Sequence, residues 1–93
     1  MQDTFNLSNG AFLKVDFEVE AAYLTIRKQD EQLFTLSHDD FINVDYNARG
    51  EAIGYEILTL DRGFPVDDIL SVDSPCYGLL VEANAKLTEL RKK

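Results

Sequence analysis

The sequence predicts an α+β domain, an antiparallel β-meander of four or five strands packed by one C-terminal amphipathic helix. Two observations carry this. From Leu13 to Leu58 apolar and polar residues alternate in short runs separated by turn residues, the period of a half-buried strand. After Leu60 the period lengthens, and Cys76, Leu80, Ala83, Leu87 and Leu90 recur at helical spacing behind Ser74-Pro75. Strands followed by a helix give the α+β order. With 93 residues the chain makes a single domain over 1–93, because two would each fall below the size that folds unaided. The meander takes about 5–60, a loop 61–73 and the helix about 75–92.

Phe5 and Leu7 alternate as a short strand that ends at Asn9-Gly10, a hairpin-turn pair. Leu13, Val15, Phe17 and Val19 then share one face, with Lys14, Asp16, Glu18 and Glu20 on the other. Ala22, Leu24 and Ile26 point inward in the next run, and Glu20-Ala21 leaves room only for a tight reversal between the two. Lys28 to Gln32 is a turn, Leu33 to Leu36 a shorter strand, and Ser37-His38-Asp39-Asp40 a polar turn. Ile42, Val44 and Tyr46 alternate, and so do Ile53, Tyr55 and Ile57. Asn47-Ala48-Arg49-Gly50 joins these runs into a hairpin, with Gly50 in the left-handed position. Asp61 to Pro65 is a loop, and Val66 to Leu70 reads as one helical turn. Ser74 is the N-cap of the final helix and Pro75 its first residue. Glu82–Lys86 and Glu89–Lys93 are i,i+4 pairs on its wet face. The expected core is Leu13, Val15, Phe17, Leu24, Ile26, Val44, Ile53 and Ile57 beneath Leu80, Ala83, Leu87 and Leu90.

Two segments resemble a known family. Glu20-Ala21-Ala22-Tyr23-Leu24-Thr25-Ile26 resembles the first motif of the domain of unknown function 2283 family. The segment from Asn43 through Asn47-Ala48-Arg49-Gly50 to Gly54-Tyr55-Glu56-Ile57-Leu58 resembles its second. The likeness spans roughly residues 13–60. Thr25 stands where the family often has Arg, and Tyr55 replaces the usual aliphatic residue beside Glu56. The resemblance implies a small bacterial, archaeal or phage protein with no established activity. For some members it implies an antitoxin-like role against small basic proteins.

Charge excludes several partners. Nine Lys and Arg face seventeen Asp and Glu, for a net charge of -8. Such a chain repels phosphates, so no nucleic acid is expected as a partner. No apolar run approaches the length of a membrane span, and Met1-Gln2-Asp3-Thr4 lacks the pattern of a signal peptide, so a cytoplasmic location is expected. Cys76 alone excludes an internal disulfide and a multi-cysteine zinc site. The charge is uneven: from residue 76 onward Lys86, Arg91, Lys92 and Lys93 face only Glu82 and Glu89.

His38-Asp39-Asp40 is the one cluster with metal-ligand atoms, but it lacks the alternating acidic spacing and central Gly of a calcium loop. A solvated turn is the simpler reading. Glu56 shares a face with Ala52, Gly54 and Leu58. It is either a carboxylate anchored to Arg27 or Arg49 or a general acid/base. Cys76 lies on the apolar stripe of the helix and reads as core. Tyr23, Tyr46, Tyr55 and Tyr77 lack the basic groove that nucleobase stacking needs. No phosphate loop, nucleophile motif or metal spacing is present, so neither a cofactor nor an enzymatic activity is expected.

The expected role is a protein-interaction module acting as a homodimer. The alternative is an acidic, antitoxin-like inhibitor of a small basic protein. Four strands make a sheet roughly 19 Å wide, and one helix covers about 10 Å of it, which leaves apolar surface for a second copy. The basic helix end of one copy against the acidic sheet of the other adds a salt-sensitive contact. Tyr23, Tyr55, Leu80, Leu87 and Leu90 are the expected interface side chains.

Overall fold

The structure is a computed structural model that describes residues 2–26, 32, 34–61, 63–64 and 77–91, and of Gln2, His38, Asp39 and Arg91 the backbone only. Six strands, β1 (Gln2–Asn6), β2 (Phe12–Asp16), β3 (Ala21–Thr25), β4 (Phe34–Asp39), β5 (Ile42–Tyr46) and β6 (Ala52–Ile57), precede one helix, α1 (Tyr77–Arg91). All pairings are antiparallel, and the sheet order is β1-β2-β3-β6-β5-β4. The α+β class stands. The sheet has six strands rather than four or five, and it is two three-stranded units joined edge to edge where β6 pairs with β3.

Local chemistry sets the turns. Asn9 and Gly10 both take positive φ between β1 and β2, and the Leu7 N–H donates to the Ala11 carbonyl at 2.8 Å. Gly50 has φ +78°, the left-handed residue expected of the β5–β6 hairpin. Asn47 organises that turn from a buried position. Its Oδ1 accepts the N–H groups of Arg49 and Glu51, each at 3.0 Å, and its Nδ2 donates to the Glu51 carboxylate.

The β2–β3 turn corrects the sequence reading. Asp16 Oδ1 accepts the Glu18 N–H at 3.0 Å and Glu20 takes φ +55°, so β2 stops at Asp16 and residues 17–20 form the turn. Phe17, expected in the core, is therefore exposed, as is Val19. Ile26 is half-buried, packed at the margin of the core. Ser37 and the backbone of His38 and Asp39 belong to β4 rather than to a turn. The register shifts between Ser37 and Asp39, and Asp40-Phe41 makes the reversal.

The core lies between one sheet face and α1. Leu13, Val15, Ala22, Leu24, Ile42, Val44, Tyr55 and Ile57 from the sheet meet Leu79, Leu80, Ala83 and Leu87 from the helix. Ala11, Leu60 and Phe64 complete the cluster. Tyr55, Leu80 and Leu87 are thus interior to the protomer, and Leu90 is half-buried beside them. This corrects their placement at an interface. The helix runs along the β1 side of the sheet. Glu82 Oε2 accepts the Ser8 N–H at 3.1 Å, and Lys86 Nζ lies 4.9 Å above the Phe5 ring and 3.8 Å from Glu89. Glu82 therefore ties the helix to the β1–β2 connection rather than pairing with Lys86. Ser74, Pro75, Cys76, Lys92, Lys93 and the turn expected at Val66–Leu70 lie outside the described residues. No helix among the described residues is long and apolar enough to cross a membrane.

Candidate functional site

The sheet face away from α1 carries the polar side chains that could do chemistry. Register sets them in rows. Lys14, Tyr23, Glu56, Asn43 and Ser37 are successive neighbours across β2, β3, β6, β5 and β4. Beside them lie Thr25, Gly54, Asp45 and Thr35. Tyr23 crosses from one row to the next. Its hydroxyl passes over Gly54 and donates to Asp45 Oδ2, while Thr35 donates to Oδ1 of the same carboxylate. Gln32 Nε2 donates to Thr35 Oγ1 at 2.6 Å, and Asn43 Nδ2 to Glu56 Oε1 at 3.0 Å.

Partial burial, the hydrogen bond to Asp45 and the negative charges of Asp45 and Glu56 all oppose ionisation of the Tyr23 phenol, and its pKa is raised well above the ordinary tyrosine value. Tyr23 therefore holds its proton as a donor and is poorly suited to act as a base. Both Asp45 oxygens are engaged, and the bonds tie β3, β5 and β4 to one another across β6.

Glu56 is half-buried and held by Asn43. Arg49, one of its expected anchors, is 2.7 Å from Glu51, and Arg27 lies outside the described residues. Glu56 also borders a shallow cleft of about 220 Å³ that Lys14, Asp16, Val19 and Tyr23 share. Asp40 is exposed in the β4–β5 turn, and the side chains of His38 and Asp39, the rest of that candidate metal cluster, lie outside the described residues. Among the described residues no three His, Cys, Asp or Glu side chains group as metal ligands. Tyr46 stacks on Phe34 at a centroid distance of 5.1 Å, and Tyr55 is buried.

Sequence reasoning singled out Tyr23 and Glu56 and missed Asp45, Thr35 and Gly54. Gly54 held the available signal, because a lone glycine inside a strand marks a close approach by another group. No family model, no curated protein and no solved structure matches the chain.

Proposed function

We propose that the protein is a non-enzymatic interaction module that works as a homodimer joined through β4. One apolar row carries the reading. Phe5, Leu13, Leu24, Tyr55, Val44 and Leu36 are successive neighbours across all six strands on the helix side. Leu13, Leu24 and Tyr55 are fully buried and Val44 is 2% exposed, but Leu36 is 55% exposed. Phe34, two residues before it, is exposed as well. A six-stranded sheet is about 29 Å across and a helix about 10 Å, so a helix lying towards β1 leaves the β4 margin open.

β4 is also the last strand of the sheet, and edge strands are ordinarily guarded by charge, proline or bulges. Phe34-Thr35-Leu36-Ser37 has no charge and no proline, and its bulge comes only after Ser37. In a chain of net charge -8, this neutral stretch lets two copies meet without opposing like charges. Antiparallel pairing of β4 with its copy about a two-fold axis would continue the sheet and cover Phe34 and Leu36.

Sedimentation at micromolar concentration is expected to give twice the 10.5 kDa chain mass, little changed by salt. Leu36→Lys, at an exposed position, is expected to give a folded monomer. A wild-type monomer, or a dimer indifferent to both Leu36→Lys and Phe34→Lys, would overturn the reading.

A further inference from the structure

Among the described residues, Phe17, Val19, Phe41 and Leu58 are large apolar side chains exposed at one end of the sheet. Register brings them there. Ile57 is opposite both Ala22 and Ile42, so Leu58 leaves β6 between the β2–β3 turn and the β4–β5 turn. The Leu58 N–H donates to the Phe41 carbonyl at 2.7 Å, and Val19 walls the cleft beside Glu56. Val19, Leu58 and Phe41, 65%, 45% and 42% exposed, thus form a row over three neighbouring strand ends. That row is about 10 Å long at one strand spacing per step. The β4 edge stretch Phe34–Ser37 is a separate surface.

The surroundings of this row are acidic. Asp16, Glu18 and Glu20 flank it from the β2–β3 side, Asp40 from the β4–β5 turn, and Glu56 from the sheet face. Lys14 is the one base among the described side chains of this cleft and its turns. Two copies meeting through this end about a two-fold axis would set carboxylates against carboxylates, so a second copy is a poor occupant. Apolar contacts ringed by charge of one sign suit a partner with the complementary pattern. We infer that this end of the sheet docks a cationic segment of another protein, its apolar side chains on Val19, Leu58 and Phe41 and its Lys or Arg side chains against the surrounding carboxylates.

The test uses the full chain and three fluorescent peptides of equal length, made of Lys and Leu, of Lys and Ser, and of Glu and Leu. In anisotropy titrations the Lys/Leu peptide is expected to bind, more weakly as salt rises. The Lys/Ser peptide is expected to bind at least about tenfold more weakly and the Glu/Leu peptide not at all. Val19→Ser with Leu58→Ser is expected to weaken the Lys/Leu peptide about tenfold or more. If circular dichroism shows that pair unfolded, Phe41→Ser alone makes the comparison. Leu36→Lys leaves this binding unchanged, so loss of the dimer and loss of the docking surface are read separately. Equal affinity for the Lys/Leu and Lys/Ser peptides, or a folded variant that binds the Lys/Leu peptide like wild type, would overturn the inference.

Discussion

The Tyr23 hydroxyl reaches Asp45 two strands away because Gly54, on the strand between them, has no side chain. A Cβ at Gly54 would fall 2.7 Å from Tyr23 Cζ and closer still to the hydroxyl, inside any real contact distance. Gly54→Ala is therefore expected to push Tyr23 off the sheet and break its bond to Asp45. The expected cost is about 1–3 kcal/mol in urea denaturation, as for other overpacked sites. Tyr23→Phe removes the same bond without the clash and is expected to cost about 1–2 kcal/mol. In Gly54→Ala, adding Tyr23→Phe should then cost much less than it does in wild type, because the bond is already gone.

The phenol also makes stability depend on alkaline pH. Its folded pKa lies above its unfolded value of about 10. Above that value the unfolded chain releases the proton while the folded chain keeps it, so ionisation favours unfolding. The contribution is fully present below pH of about 10 and is lost as pH rises towards the folded pKa. The urea midpoint of wild type is expected to fall more steeply than that of Tyr23→Phe as pH rises above about 10. Equal slopes would show that Tyr23 is not the group responsible.

Leu24 and Phe17 separate core from turn. Leu24 is fully buried in the middle of the apolar row, and Leu24→Ala is expected to cost about 2–5 kcal/mol. Phe17 is 42% exposed, and Phe17→Ala is expected to cost less than about 1.5 kcal/mol although Phe is the larger side chain. Chemical denaturation of the two variants measures both.

Asn84 fastens the segment after β6 to the helix. Its Oδ1 accepts the Phe64 N–H at 2.6 Å and its Nδ2 donates to the Phe64 carbonyl at 2.9 Å, so one side chain satisfies both backbone groups of a buried residue. Asn84→Ala is expected to cost about 1–3 kcal/mol by leaving both unpaired. Asn84→Asp keeps the acceptor but sets a carboxylate oxygen against the carbonyl. It is expected to recover stability as pH falls and the carboxyl becomes a donor. Amide exchange at Phe64 is expected to quicken in Asn84→Ala, and an unchanged rate would show that the bond is dispensable.

Alternation revealed much of the fold, because which face a strand buries is written every second residue. The turns at Asn9-Gly10 and Asn47–Gly50 were legible because their residues favour the required backbone. Phe17 and Val19 misled because they continue the alternation of β2, while the bond from the Asp16 carboxylate to the Glu18 N–H ends the strand before them. Ser37–Asp39 read as a turn because a polar edge segment has no buried side to mark. The order of strands was hidden for a different reason. Alternation says which side of a residue is buried and nothing about which strand lies beside it. The Tyr23–Asp45 bond depends on that order, so Tyr23 was visible in the sequence and its partner was not.

The pairing of β3 with β6 constrains how the chain assembles. β1–β3 and β4–β6 each contain only neighbours joined by short connections, so each can fold on local contacts. The central seam must bring Ala22 to Ile57, and until it does neither unit owns a closed interior. The slow step is therefore expected to be the meeting of the two halves, and a ribosome must release residue 57 before the first half can find its neighbour. Substitutions at the seam, such as Ala22→Gly, should slow refolding, whereas those confined to the β1–β2 turn should mainly hasten unfolding.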